Sequence, residues 1–450
     1  MSLTYKIAEG TAQITLANVI TIIFNLLSFI TIVRILSKYE YGLIVLALSA
    51  VSILTILLDP GIRGVIIADV SRERSENRYD RAKSLLYRYL QIEIVLSLAI
   101  FTILFSSNMY FEQKYSRVVG ELIKISAFLI IASAGKNIFL AVFNSHLDFK
   151  SFLYLNVGES FFKLLYVVLF GYYFKLGLYG VMLAYPLSVI TSLILTFRRF
   201  INILKSYLYI SRSKDSFFLK TMKSHGKWAI GIFTLKNLSS NIPPWVIQFF
   251  LGVEAVAIFN VARRSVAYVN SLLSPLESVL MPIISREIRN IKRINKIVSR
   301  GIKYSLWISL PIVFFGIIFS SIIFNLLFGD FYMESIKIFQ LLILTSIFYA
   351  INLIFRPIFF GFKVQKILFT VYIISIMIFI VLGIILTYLI GLYGMALAFI
   401  LNGFITFLLR YRYAKKMWII INFREIIIID DYDKELILKI IKTTINKLKK

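Results

Sequence analysis

Twenty consecutive residues, VYIISIMIFIVLGIILTYLI at 371–390, carry no charge. Wound as a helix, a run of that length spans the roughly 30 Å hydrocarbon core of a bilayer, where backbone polar groups must be satisfied within the segment itself. LWISLPIVFFGIIFSSIIFNLLF at 306–328 has the same character, and FLIIASAGKNIFLAVF at 128–143 belongs to a third such segment. Hydrophobic residues are 59% of the 450 and charged residues 16%, whereas soluble domains sit near half and a quarter. The class expected is all-α, a polytopic membrane protein. Its spans fall at about 10–33, 41–68, 85–107, 119–143, 151–174, 177–197, 228–251, 255–285, 304–328, 336–360, 367–389 and 391–410.

Residue types absent from the chain narrow the chemistry. It has no cysteine, which excludes disulfides, thiol catalysis and thiolate metal sites. His146 and His225 lie in polar connections and form no ligand cluster. No G-x-x-x-x-G-K-[ST] motif is present, so ATP hydrolysis by this chain is not expected, nor is any cofactor. The opening MSLTYKIAEG is polar and runs into a full-length span, unlike a cleavable signal peptide.

A net charge of +27 raises nucleic acid as a partner, but the distribution of the charge argues against it. Basic connections follow spans two, four, six, eight and ten: SRERSENRYDRAKS, NSHLDFK, RRFINILKSYLYISRSKDSFFLKTMKSHGK, REIRNIKRINKIVSRGIK and GFKVQK. The alternate connections hold few cations: Arg34, Lys38, Lys114, Arg117 and Lys175. Lys and Arg gather on the cytoplasmic side, so a multi-pass protein of the cytoplasmic membrane with both termini inside is expected, its charge serving topology and anionic lipids. The tail DKELILKIIKTTINKLKK sets Leu436, Ile437, Ile440, Ile441, Ile445 and Leu448 against Lys434, Lys439, Lys442 and Lys447, as in a helix lying on a membrane surface. Docking of that tail to a glycan-assembly enzyme is the alternative.

The chain also repeats itself. LGLYGVMLAY at 176–185 returns as IGLYGMALAF at 390–399, so Gly177 and Gly391 are 214 positions apart. ADVSRE and PIISRE put Arg72 and Arg286 at the same offset, and RILSKYEYGLIVLAL weakly matches FFLGVEAVAIFNVAR. Three matches in order at nearly one offset indicate two six-helix halves, a parallel repeat common in transporters, with the substrate path between them. The division expected is an N-terminal lobe at 1–200, a basic linker at 201–227, a C-terminal lobe at 228–410 and a basic tail at 411–450.

RILSKYEYGL, DPGI late in span two, SPLESVLMPIISRE, LFGDFYMESIKIFQLLIL and the two GLYG turns, in that order, resemble the polysaccharide-biosynthesis flippases. These are the Wzx-type members of the multidrug/oligosaccharidyl-lipid/polysaccharide exporter superfamily. The resemblance covers the chain to about residue 410 and implies a MATE-like fold of two pseudo-symmetric lobes in a V, working by alternating access. It also implies a cationic cavity, lined chiefly by the first two helices of each lobe, that passes a lipid-diphosphate-linked oligosaccharide outward. The extra helix pair of lipid II flippases is missing, which favours an oligosaccharide-lipid over a peptidoglycan precursor.

Intramembrane ionisable groups cost about 2.5–3.5 kcal/mol each on insertion scales, so each needs a partner or a purpose. Glu159 and Lys163, Asp59 and Arg63, and Glu121 and Lys124 have helical spacing and read first as neutralising pairs. Lys236, Arg263 and Arg264 have no such neighbour. Asn260 and Arg264 share a helical face with Ala267 and Ser271, and Lys236 opens the polar stripe KNLSSN before Pro243–Pro244. Asn18, Thr21, Asn25 and Ser28 form an uncharged polar stripe on span one. The candidate substrate residues are therefore Arg264, Lys236, Arg263, Asn260, Asn18, Asn25, Arg63 and Arg356, because Arg binds a diphosphate bidentately and Lys adds a point charge. Arg34 and Lys38 read as attracting the headgroup at the outer mouth, and Arg34 also reads as an ordinary interfacial anchor. Glu277, Glu93 and Asp59 are candidates for ion coupling.

The expected function is a non-enzymatic flippase whose partners are a polyprenyl-diphosphate-linked oligosaccharide and membrane lipids. A multidrug or metabolite cation antiporter on the same fold is the alternative, and would make the acids dominate. A membrane glycosyltransferase or polymerase is disfavoured by the short outer connections.

Overall fold

A computed structural model describes residues 3–59, 61–114, 116–211, 227–287, 290–362, 364–428 and 433. The N-lobe comprises α1 (Leu3–Ile35), α2 (Lys38–Leu58), α3 (Ile62–Ser75), α4 (Tyr79–Lys114), α5 (Arg117–Ser145), α6 (Phe149–Tyr166) and α7 (Gly177–Lys205). A π-helical turn at Val167–Tyr173 extends α6. The C-lobe comprises α8 (Lys227–Asn241), α9 (Pro243–Leu251), α10 (Val253–Ser271), α11 (Pro275–Glu287), α12 (Ile291–Ile318), α13 (Ser320–Phe328), α14 (Glu334–Leu342), α15 (Thr345–Gly361) and α16 (Gln365–Lys416), with a short α17 (Phe423–Ile427). Nine helices among the described residues are long and apolar enough to cross a membrane. α16 traverses twice, and the broken pairs α8–α9 and α10–α11 each supply one more crossing, which gives the twelve spans expected.

Local chemistry sets the breaks. Ser37 Oγ accepts from the Glu40 amide at 3.2 Å while the Glu40 carboxylate accepts from the Ser37 amide at 3.0 Å, a capping box that starts α2. After α2, Asp59 Oδ1 accepts from the amides of Gly61 (3.1 Å) and Arg63 (3.0 Å), and Gly61 takes a φ of 100°. Pro243 opens α9, where a ring nitrogen without a hydrogen forfeits no intrahelical bond. Both GLYG copies behave alike: Gly177 and Gly391 adopt φ of 54° and 63°, a conformation that favours glycine. At Gly391 the long α16 doubles back, with Phe379 against Phe399 (4.8 Å between rings) and Thr406 Oγ1 donating to Ser375 Oγ at 3.1 Å. The basic connection 286–303 is helical from Ile291 onward. Ile294, Val298 and Ile302 recur at helical spacing and are buried.

Three of the five apolar cores among the described residues organise the lobes. At the end remote from the basic connections, both lobes share one core, joining Phe29, Tyr41 and Ile44 to Val256, Phe259, Phe328 and Phe339. At the basic end each lobe keeps its own. Ile66, Leu85, Tyr89, Phe143 and Phe200 serve the N-lobe, and Ile294, Val298, Ile354, Phe359 and Ile419 serve the C-lobe. The two helical bundles thus converge at one end and part at the other.

The segment after α16 does not stand apart from the C-lobe. Ile419 and Ile421 are buried, the Asn422 amide donates to Ser299 Oγ at 3.0 Å, and Ile420 N donates to Asn295 Oδ1 at 3.1 Å. Lys303 and Asp433, both almost wholly buried, form an ion pair. The carboxylate also accepts from Tyr304 OH at 2.8 Å, and Lys303 donates to the Ile428 carbonyl at 2.6 Å. Asp433→Asn would strand a buried ammonium, at an expected cost of about 3–5 kcal/mol. A clear fall in the thermal unfolding midpoint of the detergent-purified protein is the expected readout, partly recovered in Lys303→Met/Asp433→Asn. The amphipathic stretch Leu436–Leu448 lies outside the described residues, as do His225 and most of the basic linker.

Beyond the end of α5, His146 Nδ1 lies 2.8 Å from the Val142 carbonyl and Nε2 lies 2.9 Å from Tyr207 OH. A proton on Nδ1 satisfies the carbonyl and leaves Nε2 to accept from the phenol. Burial pushes the imidazole down to about 4, helped by Arg74, while burial pushes the Tyr207 phenol up to about 12. An unfolded histidine protonates near 6.5. Between about 4 and 6.5 the unfolded chain therefore binds more protons, and stability is lost as pH falls through that window. A His146→Gln variant should show a shallower decline of unfolding temperature across it.

Candidate functional site

Between the lobes lies a cavity of about 390 Å³. From the N-lobe it receives Asn25 and Ser28 of α1, Lys163 of α6 and Tyr185 of α7; from the C-lobe it receives Arg264, Tyr268 and Ser271 of α10. The α10 positions are spaced to one helical face, as the sequence indicates. Arg264 stands over the Phe29 ring at 5.6 Å, and Lys163 lies 5.8 Å from the Tyr185 ring. Lys163 Nζ donates to Asn25 Oδ1, and Asn25 Nδ2 donates to the Thr21 carbonyl at 2.8 Å, which fixes the amide. Ser28 turns its hydroxyl to the Phe24 carbonyl at 2.7 Å. Among the described residues, two cations and no carboxylate therefore face this space.

The pairing of Glu159 with Lys163 expected from spacing needs correction. Glu159 is engaged by Lys136 of α5. That contact across helices frees Lys163 to face the cavity, where it is a functional candidate that sequence reasoning passed over. The i,i+4 rule reports who can meet along one helix and not who waits on the next. The other two pairs form as expected: Arg63 Nε lies 3.5 Å from Asp59 Oδ2 and Lys124 lies 3.1 Å from Glu121.

The remaining candidates are dispersed. Asn260 is buried at the joint between lobes, accepting from Tyr41 OH at 2.9 Å. Arg263 Nη1 donates to the Ser240 carbonyl at 2.7 Å, satisfying an open group in the last turn of α8. Asn18 is exposed on α1 and does not line the interlobe cavity. Arg63 belongs to a network inside the N-lobe. Besides Asp59 it donates to Asn137 Oδ1, and Asn137 Nδ2 donates to Glu93 Oε1 at 2.8 Å. Glu93 is fully buried, and its Oε2 has no partner among the described residues. Arg34 and Lys38 do not face an open mouth. Arg34 donates to the carbonyls of Leu326 and Leu327 at the end of α13, and Lys38 pairs with Glu334 at 2.9 Å, so both tie the lobes together at the end remote from the basic connections.

Lys236 and Arg356 line a separate cavity of about 310 Å³ within the C-lobe, together with Arg410 of α16. Glu277 lies 2.7 Å from Arg356. Arg410 sits where span twelve was expected to end. Because α16 continues to Lys416, its side chain is interior. Among the described residues no cluster of His, Asp and Glu is arranged to hold a metal ion.

This arrangement has relatives. The structure is similar to an inward-facing multidrug resistance MATE family transporter of the MOP superfamily (14% identity, 88% of this chain and 95% of that one, TM-score 0.72). It is also similar to the lipid II flippase MurJ in an inward closed conformation (16%, 92% and 88%, TM-score 0.73). Against an outward-facing MATE family transporter the TM-score is 0.62 (13%, 92% and 95%). No curated protein matches the sequence. The model of a family described as polysaccharide biosynthesis protein matches residues 31–337. With most of its length inside that match and a two-lobed membrane fold around a cationic cavity, the chain belongs to the polysaccharide biosynthesis protein family.

Proposed function

We propose that this protein is a flippase that moves a lipid-diphosphate-linked oligosaccharide across the cytoplasmic membrane by alternating access, for assembly of a surface glycan. The observation that carries this reading is the interlobe cavity, where Arg264 and Lys163 meet from opposite lobes with no carboxylate facing them. A diphosphate is a compact multiple anion, and charge-assisted bonds from a guanidinium and an ammonium suit it. The lipid tail can trail through bilayer between the lobes, so only the hydrated head needs a polar path.

The basic connections support an orientation with their end in the cytoplasm and both termini inside. In that frame the shared core closes the outer side and the cavity is reached from within. The higher TM-score to an inward-facing than to an outward-facing transporter supports the same state. Lobes at 1–200 and 228–410 would rock about this joint. The fold likeness to the lipid II flippase MurJ supports a lipid-linked substrate class.

Ion coupling has one observation in its favour, the buried Glu93 with an unpartnered oxygen beside Arg63 and Asn137. A proton or sodium ion bound there would drive the cycle. Both points are tested by reconstituting the protein with a labelled polyprenyl-diphosphate oligosaccharide and following its exposure to an external reagent, with and without an ion gradient. Exposure that needs the protein supports the flippase. Exposure unchanged by the protein, alongside ion-dependent efflux of organic cations, would favour an antiporter.

A further inference from the structure

We propose that the C-lobe chamber ringed by Lys236, Arg356 and Arg410 is a second anion site, separate from the interlobe cavity, for a small oxyanion that also carries hydroxyl groups. Charge comes first. Three cations face about 310 Å³, and one carboxylate, Glu277, pairs with Arg356 at 2.7 Å. Two positive charges remain without a counter-charge among the lining residues, in a segment surrounded by hydrocarbon where each is costly. A metal ion or an organic cation would worsen that balance, whereas a mono- or dianion relieves it.

Hydrogen bonding says more about the occupant. Arg410 is only 3% exposed, and its Nη1 donates to the Asn352 carbonyl at 2.7 Å. Its Nε has no partner among the described residues. Its Nη2 donates to Tyr372 OH at 3.4 Å, which orients the guanidinium. Three amide oxygens, of Asn270, Asn352 and Asn402, are also buried without partners among the described residues. Asn352 is not free to swap its amide, since its Nδ2 donates to the Gly403 carbonyl at 3.1 Å. Buried polar groups are rarely left open, so among the described residues this chamber lacks an acceptor for Arg410 Nε and donors for the asparagine oxygens. A bare halide offers no donor. A carboxylate or phosphate with neighbouring hydroxyls offers both.

Size and placement limit the source. The volume accommodates one sugar ring or a free inorganic anion and not an oligosaccharide. The two cavities share no lining residue, and α10 forms the wall between them, with Ser271 on one side and Asn270 on the other. Either an acidic sugar of the transported glycan, such as a uronate, enters from the interlobe path, or cytosolic phosphate occupies the chamber during the cycle.

The test uses the full chain in nanodiscs, in an Arg264→Gln background so that the interlobe cavity has lost its guanidinium. Glucuronate, inorganic phosphate and neutral glucose are titrated calorimetrically. At least one anion should bind while glucose does not. Adding Lys236→Gln should weaken that binding at least tenfold, and Arg410→Gln should do the same. Lys236 is exposed, so its variant remains informative if the buried Arg410→Gln fails to fold. Glucuronate binding alone identifies the glycan as source, and phosphate binding alone identifies a free anion; either supports the site. Anion binding abolished by Arg264→Gln, unchanged by Lys236→Gln, or no better than that of glucose would overturn it. None of these outcomes depends on whether the lipid-linked substrate is flipped.

Discussion

Arg264→Ala is expected to lower the initial rate of lipid-linked oligosaccharide translocation about 100-fold while the protein still inserts and folds. Removing one partner of a desolvated charge pair costs about 3 kcal/mol, and each 1.4 kcal/mol is roughly tenfold. Folding should survive because Arg264 contributes no ion pair among the described residues and packs over Phe29 instead. Arg264→Lys should recover part of the rate by restoring charge without the bidentate fork. Lys163→Met should produce a loss of similar kind, since the two groups face one space. The assay is reconstituted translocation, paired with a thermal unfolding scan. Native levels of surface glycan in a strain carrying only Arg264→Ala would remove the interlobe cavity from the proposal.

Gly42→Leu should produce the second large effect, by forcing apart the joint between the lobes that is proposed to close the outer side. Even a β-carbon at Gly42 would lie 2.2 Å from the Val253 carbonyl, so α2 and α10 could not keep their contact. Overpacking of this kind costs about 1–3 kcal/mol, here charged to one conformation only. The population should therefore shift by roughly 5- to 150-fold toward states open on the other side. Glu334→Ala removes only the exposed partner of Lys38 and should shift it little, because surface ion pairs contribute about 0–1 kcal/mol. The chain has no native cysteine, so Ser271→Cys in the cavity wall gives a clean reporter. Impermeant thiol reagents should reach it from the cytoplasmic side in the parent and from the outer side in Gly42→Leu. Identical labelling in both backgrounds, with native transport, would show that this joint is no gate.

Much of the architecture was legible because it rests on local rules. Apolar runs as long as 371–390 leave a chain few options in hydrocarbon. The GLYG copies recur where the backbone needs positive φ, and the structure gives Gly177 and Gly391 nearly the same one. Pro243–Pro244 and Asp59–Gly61 mark helix breaks that any bilayer-spanning chain would have to make at those residues. Arg264 stood out because nothing on its own helix could neutralise it.

Grouping the charges was a different problem. By spacing Lys163 is the partner of Glu159, but α5 brings Lys136 to that carboxylate; Arg34 and Lys38 read as attracting a headgroup at the outer mouth, but they bind α13 and α14. By charge alone Lys236 and Arg356 group with Arg264, yet α10 stands between them and Arg410 completes their company. What the sequence by itself determined was which segments cross the membrane, where they break and that the halves repeat. Tertiary structure decided which cations share a cavity. Helical periodicity orders side chains around one axis, whereas electrostatic partnership depends on distance between axes, and that distance is set only when the helices pack.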